Sequence, residues 1–356
     1  MEIKVIPAKP EQMKKKPTDE SNLGFGDIFT DHMFLMDHEQ GKGWINPRIE
    51  PYRSLSLDPA AMVLHYGQEV FEGLKAYRGK DGSLYLFRAR DNFIRMNRSA
   101  FRVCMPEVDP DFALTALKEL VLLDKDWVPR SPGTSLYIRP TMIAVEPHLG
   151  VRPAKTYLFF IIIGPVGAYY KEGLNPVKIY VEDKYIRAAM GGLGEAKTVA
   201  NYAASLRAAE EAKEKGFTQV LWLDAKERKF VEEVGTMNMF FRINDEVITA
   251  PLTGTILPGI TRDSVIKMAK KWGMPVSERS LGIDEVIAAA KKGTLMEAFG
   301  TGTAAVISPV GQITYKGTDY VVAGGKMGDL SLRLYKEIVA IQYGDKEDPY
   351  GWRVKI

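Results

Sequence analysis

The sequence predicts an α+β protein built as two domains, and three observations carry that expectation. A chain of 356 residues is long enough for roughly two cores of ordinary domain size. Strand-like runs recur with helices scattered irregularly among them, which speaks against the strict alternation of a doubly wound parallel sheet. The segment "GPVGAYYKEGLNP" at 164–176 follows a strand, is rich in Gly and Pro, and sustains no period, so it marks a boundary.

The elements follow in chain order. "GSLYLFR" (82–88) reads as a strand entered through the turn Lys80-Asp81-Gly82. "RDNFIRMNRSAFRV" (90–103) and "DPDFALTALKELVLLD" (109–124) carry helical periodicity, the second with an acidic start suited to the helix dipole. "TSLYIRPTMIAV" (134–145) alternates as a strand does, and Pro140 marks it as an edge or a bulge. "YLFFIII" (157–163) is a buried strand, too short to cross a bilayer. Beyond the boundary, "VKIYVED" restarts strand structure, and "TVANYAASLRAAEEAKEKG" (198–216) is an Ala-rich helix with a Gly stop. "TQVLWLDA", "FVEEVGTMNMFFRI" and "EVITAP" follow as successive strands, then helices near 261–272, 283–292 and 325–342. The expected division is a domain over 1–168, an interdomain loop over 169–178 and a second domain over 179–356.

Composition narrows the function classes. The net charge of +3 is a small difference between 48 basic and 45 acidic residues, and no lopsided basic domain offers a nucleic-acid surface. The cluster Lys14-Lys15-Lys16 lies in a polar, proline-flanked leader and reads as a solvated tail. One cysteine, Cys104, leaves no intrachain disulfide and no Cys-x-x-Cys pair. Four histidines (His32, His38, His65, His148) show no metal-ligand spacing. With no basic-then-apolar leader at its start, the sequence points to a cytoplasmic protein without a membrane or nucleic-acid partner.

"GGLGEAKTVANYAAS" (191–205) nearly spells a phosphate-binding loop, which makes Lys197 either a point charge for a nucleotide or a reagent. Ala196 stands where that loop needs glycine to curl around phosphate, and no strand ends in an aspartate placed to hold magnesium. A lysine at a helix start opposes the positive end of the dipole, which favours a neutral, nucleophilic amine. Such an amine suits a Schiff base with pyridoxal phosphate. Tyr202 lies five residues on and cannot share a helix face with Lys197, so the lysine belongs to the preceding loop. "LPGITRDSV" (257–265) opens a helix whose N-terminal amides suit an anion, "FGTGTAA" (299–305) offers a small-residue turn, and "EEVGTMN" (232–238) places two glutamates before a Gly-Thr turn. Alternation alone does not choose between Glu232 and Glu233.

With these residues in view, the sequence resembles the branched-chain amino acid aminotransferases, pyridoxal-phosphate enzymes of fold type IV. The likeness runs from "FTDHMF" (29–34) to the C-terminal helix through "LHYGQEVFEGLKAY", "SLYIRP", "EPHLGV", "GPVGAYY", "GGLGEAKTVANY", "EEVGTMN", "LPGITR" and "FGTGTAA". It implies an N-terminal α/β domain smaller than a C-terminal domain with a barrel-like sheet. It implies pyridoxal 5'-phosphate bound through Lys197, with Glu233 on the ring nitrogen and Tyr202 on the phenolate oxygen. Arg95, the backbone of Ile260 and Thr261, and the Thr303 hydroxyl would hold the phosphate, with Thr236 beside the ring. For substrate it implies Tyr66 and the Thr303-Ala304 backbone at the α-carboxylate. Phe29, Phe71 and Tyr137 would line an apolar pocket, with Arg139 receiving glutamate's distal carboxylate. Leu149 and Val151 would reach into a partner subunit's site, implying a homodimer. The reaction expected is ping-pong transamination of leucine, isoleucine or valine with 2-oxoglutarate, giving branched-chain 2-oxo acids and glutamate. The rivals are a D-amino acid aminotransferase, an aminodeoxychorismate lyase and, more remotely, a P-loop nucleotide hydrolase. The Cys-x-x-Cys of some vertebrate relatives is absent, its positions being Ala305 and Ser308.

Overall fold

The computed structural model describes residues 1–167 and 174–356. Its chain divides into two compact units, one of residues 1–169, 196–199 and 340–356, the other of 170–195 and 200–339. Residues 168–173, which include much of the expected boundary segment, the end of "GPVGAYY" and the start of the expected 169–178 loop, lie outside the described residues.

In the first unit the strands are β1 (Lys4–Val5), β2 (His32–Glu39), β3 (Gly43–Pro51), β4 (Glu69–Phe71), β5 (Leu74–Arg78), β6 (Leu84–Phe87), β7 (Ser135–Ala144) and β8 (Thr156–Val166), with helices α1 (Met62–Tyr66), α2 (Ala89–Arg102) and α3 (Pro110–Leu123). The sheet runs β1-β3-β2-β8-β7-β5-β6, with β4 also on β7 and the terminal strand Arg353–Lys355 on β6. Alternation sorts β7 into two faces. Leu136, Ile138 and Met142 are buried in one core with Phe34, Ile161 and residues of α2 and α3 such as Phe93, Leu117 and Leu120. Tyr137, Arg139 and Thr141 point the other way. Helix α3 begins as its sequence dictates, with Pro110 in its first turn and the Asp109 carboxylate accepting from Asp111 and Phe112 amides.

Two expectations in this unit are corrected. Strand β7 is interior, paired with β8 on one side and with β5 and β4 on the other, and its ladder with β8 passes through Pro140 without a bulge. The Pro140 carbonyl accepts from Glu72, in the gap between β4 and β5, at 2.8 Å. A residue's N–H and C=O point to one side of a strand, so the missing N–H falls at that gap and costs no ladder bond. Nor is Lys14 a solvated tail. Its ammonium donates to the Thr30 and Phe29 carbonyls at 2.7 and 3.3 Å and lies 3.7 Å from the Tyr52 ring centroid.

The second unit holds β9 (Val177–Glu182), β10 (Gln219–Leu223), β11 (Val231–Val234), β12 (Met237–Ile243), β13 (Glu246–Thr249), β14 (Val276–Glu278), β15 (Leu295–Gly302), β16 (Val306–Tyr315) and β17 (Thr318–Val321). Helices α4 (Val199–Glu214), α5 (Ile260–Lys271), α6 (Ile283–Lys292) and α7 (Asp329–Tyr343) complete the order. Strands β9, β10, β11, β12, β15 and β16 pair in a ring, since β16 meets β9 and β11 meets β12, so the sheet closes into a six-stranded barrel. Ile179, Leu221, Met239, Phe241 and Ile313 share its apolar cluster, and α4 packs Ala208 and Ala212 on Val220 and Trp222. "FVEEVGTMNMFFRI", expected as one strand, is two. Gly235 at φ 56° turns β11 back onto β12, and a side chain there would run into Gln219. The α+β class and the barrel-like second sheet both hold.

Candidate active site

In the first unit, one face of the sheet gathers Phe71, Tyr137 and Arg139. Phe71 pairs opposite Thr141 on β7, two residues from Arg139, which places their side chains on one face. The Arg139 guanidinium lies 4.6 Å from the Phe71 ring centroid, and its Nη2 donates to the Tyr137 hydroxyl at 2.9 Å. Arg139 Nε is buried without a hydrogen-bond partner among the described residues. Gly73 leaves room for the Tyr137 hydroxyl, which a Cβ there would strike. On β8, Gly164 lies opposite Tyr137, and a Cβ at Gly164 would strike the Ile28 carbonyl. The missing side chain therefore lets the segment carrying Phe29 cross the sheet closely. Phe29 stacks on Tyr52 at 5.2 Å, and Phe25 lies 4.9 Å from Tyr137. Burial pushes the neighbouring Glu69 carboxyl above its usual range, with the charge of Arg139 opposing the shift.

Lys197 reaches the same ring. Its Nζ is 4.6 Å from the Phe71 centroid. The backbone there is held at three points: the Lys197 amide donates to Ser99 Oγ at 2.8 Å, its carbonyl accepts from Phe71 at 3.1 Å, and the Thr198 hydroxyl donates to the Glu69 carbonyl at 2.6 Å. Ser99 stands one helical turn beyond Arg95 on α2, so both face the same way. Arg95 is buried and donates through Nε and Nη2 to the two oxygens of Glu72, each at 2.8 Å. Tyr66 ends α1 at 40% exposure, and Leu149 and Val151 are 67% and 87% exposed. The loop bearing them is closed at its base by a bidentate Arg152–Glu146 pair, with Arg152's hydrogen bonds holding the Glu146 carboxyl down at about 2.

In the second unit, Glu233 is 3% exposed and sits opposite Asn238 across β11 and β12. Asn238 Nδ2 donates to Glu233 Oε1 at 2.8 Å and to the Leu257 carbonyl at 2.9 Å. Arg187 Nε lies 2.7 Å from Glu233 Oε2, and its Nη2 donates to the Thr255 carbonyl and, at 3.2 Å, to that of Gly194. Gly194 must be glycine, because a Cβ would strike the Thr255 carbonyl. Gly259 caps α5, bringing Ile260 and Thr261 into its first turn, and a Cβ on Gly259 would strike Asn238 Oδ1. Tyr202 lies in the first turn of α4, with Lys197 outside that helix. Thr236 occupies the β11–β12 turn, and Thr303 and Ala304 the turn from β15 to β16.

The expected residues thus fall into two sets, each ordered within its own unit. Sequence reasoning missed Glu72, Ser99, Arg187 and Asn238. Glu72 and Asn238 lie inside the quoted motifs "LHYGQEVFEGLKAY" and "EEVGTMN" and Ser99 inside the helical run 90–103, but nothing local to them assigns a partner, and Arg187 lies in none of the quoted segments.

The family profile described as amino-transferase class IV matches residues 69–313. The chain belongs to the class IV aminotransferases. Among relatives of this aminotransferase, the Branched-chain-amino-acid aminotransferase 2 of Bacillus subtilis (strain 168) is 55% identical over 343 residues, covering 96% of this chain and 94% of its own. The solved branched-chain aminotransferase of the archaeon Thermoproteus uzoniensis, with norvaline, matches at a TM-score of 0.76 and 27% identity, over 91% of this chain and 99% of that one. The T.th. branched-chain amino acid aminotransferase complexed with N-(5'-phosphopyridoxyl)-L-glutamate matches at 0.73 and 26%, over 90% and 97%.

Proposed function

We propose that this aminotransferase moves the amino group of L-leucine, L-isoleucine or L-valine to 2-oxoglutarate, using pyridoxal 5'-phosphate in the cytoplasm as a homodimer. The observation that carries this reading is the Phe71 ring, with the Lys197 amine and the Arg139 guanidinium each 4.6 Å from its centroid. An apolar surface beside a nucleophilic amine suits an aliphatic amino acid. A buried, unpartnered guanidinium nitrogen beside that surface suits the second carboxylate of 2-oxoglutarate. One pocket then serves both half-reactions.

The residues present fit the cofactor. A buried carboxylate, Glu233, has the chemistry to accept from a protonated ring nitrogen, and the first turn of α5, which begins at Ile260 and Thr261, has the N-terminal amide chemistry that suits a phosphate. Lys197, Tyr202, Glu233, Thr236, Arg95, Ile260, Thr261 and Thr303 would hold it. When bound, it supplies an aldehyde for condensation with amines and a ring that accepts the electron pair released at the α-carbon. Lys197 Nζ takes the α-proton from the donor and returns it to the oxo-acid acceptor. Ser99 and Phe71 hold the lysine backbone through its amide and its carbonyl. Tyr66 and the Thr303-Ala304 backbone would hold the α-carboxylate, with Phe29 and Tyr137 beside the side chain. The exposed Leu149 and Val151 support a loop that inserts into the site of a second copy.

Borohydride reduction of the cofactor-saturated protein, followed by peptide mapping, is expected to place the phosphopyridoxyl group on the peptide containing Lys197. A label on another peptide, or none, overturns the assignment. A panel of L- and D-amino donors with 2-oxoglutarate is expected to favour aliphatic L-donors; preference for D-donors would move the chain to the rival activity.

A further inference from the structure

The N-terminal segment up to Lys14 takes no part in the site described above, yet it is fastened to the segment that carries Phe29. Lys4 and Val5 pair with Arg48 and Ile49. The Ala8 amide donates to His32 Nε2 at 2.8 Å, and the Lys14 amide donates to Asp31 Oδ1 at 2.7 Å. Both acceptors are tied on their other side to the stretch that follows α3. His32 Nδ1 lies 2.6 Å from Asp124 Oδ1, and Asp31 Oδ2 accepts from Trp127 Nε1 at 2.7 Å. Asp31 and His32 are buried, so the chain just after Phe29 is held from two directions.

Lys14 then reaches Phe29 itself by two routes. Its ammonium donates to the Thr30 and Phe29 carbonyls at 2.7 and 3.3 Å, and it stands 3.7 Å from the centroid of the Tyr52 ring. Tyr52 stacks on Phe29, the rings 5.2 Å apart and 10° from parallel. In extended backbone successive carbonyls point to opposite sides. Two neighbours aimed at one ammonium therefore require a bend, and the cation offsets the repulsion between their dipoles. Thr30 is 0% exposed, so water is a poor substitute for the lysine there. Burial lowers the Lys14 pKa, and the charges of Asp31 and Asp124 oppose that shift. One side chain thus holds both the backbone that carries the Phe29 ring and the ring on which Phe29 lies.

We propose that Lys14 is a positioning residue for the amino donor: it fixes the Phe29 ring in the orientation against which an aliphatic side chain packs. This rests on the reading of Phe29 as a wall of the donor pocket. Leucine depends on that apolar wall, whereas the second carboxylate of 2-oxoglutarate depends on Arg139. The loss of Lys14 therefore falls on the binding of leucine and not on proton transfer at Lys197.

The test is steady-state kinetics of the full-length, cofactor-saturated protein with leucine and 2-oxoglutarate. Lys14→Met is expected to raise the KM for leucine about fivefold or more, with kcat changed less than about twofold and the KM for 2-oxoglutarate changed less. Lys14→Arg is expected to recover most of the loss, because a guanidinium also donates to carbonyls and lies on an aromatic face. In a Phe29→Ala background, Lys14→Met is expected to add nothing further, since the ring it positions is gone. Thermal melting checks that each variant is folded, and if Lys14→Met does not fold, Lys14→Gln is compared in the same two backgrounds. Crystal structures of wild type and Lys14→Met are expected to show the Phe29 ring displaced from Tyr52 in the variant. An unchanged KM for leucine, a loss confined to kcat, the same loss in the Phe29→Ala background, or a Phe29 ring left in place overturns the proposal. A wild type that takes no amino group from leucine overturns the functional reading and this inference with it; an active wild type with any of the preceding results overturns this inference alone.

Discussion

Arg187 and Glu233 form an ion pair that is almost wholly out of water, with Nε 2.7 Å from Oε2 and side chains 7% and 3% exposed. The contact is a close pairing of charges rather than an aligned Nε–H hydrogen bond. The same guanidinium donates to the Gly194 and Thr255 carbonyls. One side chain therefore compensates a buried carboxylate and ties the glycine-rich segment to the loop that leads into α5. Removing one partner of a buried pair leaves a charge uncompensated at a cost of about 3–5 kcal/mol. Arg187→Met is expected to lower unfolding stability by roughly that amount and to weaken cofactor retention, read by urea denaturation and by absorbance after dialysis. Wild-type stability in this variant would show that the pair is not what holds Glu233.

Arg139 stacks on Phe71 and bonds Tyr137, so its planar fork has both an apolar and a polar role. Arg139→Ala is expected to raise the KM for 2-oxoglutarate about tenfold or more while changing that for leucine much less, since only the former brings a second carboxylate. Arg139→Lys should recover little, because an ammonium lacks the planar fork. Equal losses for both substrates would contradict a shared pocket.

Gly259→Ala puts a methyl group into Asn238 Oδ1, whose amide nitrogen bridges Glu233 and the Leu257 carbonyl. The variant is expected to lose about 1–3 kcal/mol of stability and to release pyridoxal 5'-phosphate on dialysis faster than wild type. Unchanged melting and retention would mean that Asn238 can move aside freely.

Lys75 lies opposite Tyr137 on the site-bearing face, and burial lowers its pKa from 10.5 to about 8. Below the lower value both folded and unfolded chains carry the proton, and the full cost of burying the charge remains. Between about 8 and 10.5 the folded state releases its proton while the unfolded state keeps it, so this residue's contribution to stability improves as pH rises. Wild type is therefore expected to gain stability relative to Lys75→Met as pH rises from 7 to 10. Urea midpoints of both proteins at the two pH values read this directly, and a pH-independent difference would contradict it.

By itself the sequence determined what local chemistry can determine. Period 3.6 in 90–103 and 109–124 gave α2 and α3, the Gly-Thr pair at 235–236 gave a turn, and Lys197 five residues before Tyr202 placed the lysine ahead of its helix. These depend on neighbours within a few residues and need no folded context. Pro140 and Lys14 read wrongly for the opposite reason. The proline's missing donor is harmless only because β4 and β5 leave a gap opposite it, and the lysine's ammonium is satisfied only because the Phe29–Thr30 backbone passes nearby. Glu72 under Arg95, Ser99 under Lys197, and Arg187 and Asn238 on Glu233 join residues 5 to 98 positions apart. Tertiary structure alone decided them, because a buried charge or amide is held by whichever group folding brings within about 3 Å, and one sequence without coordinates does not encode that distance.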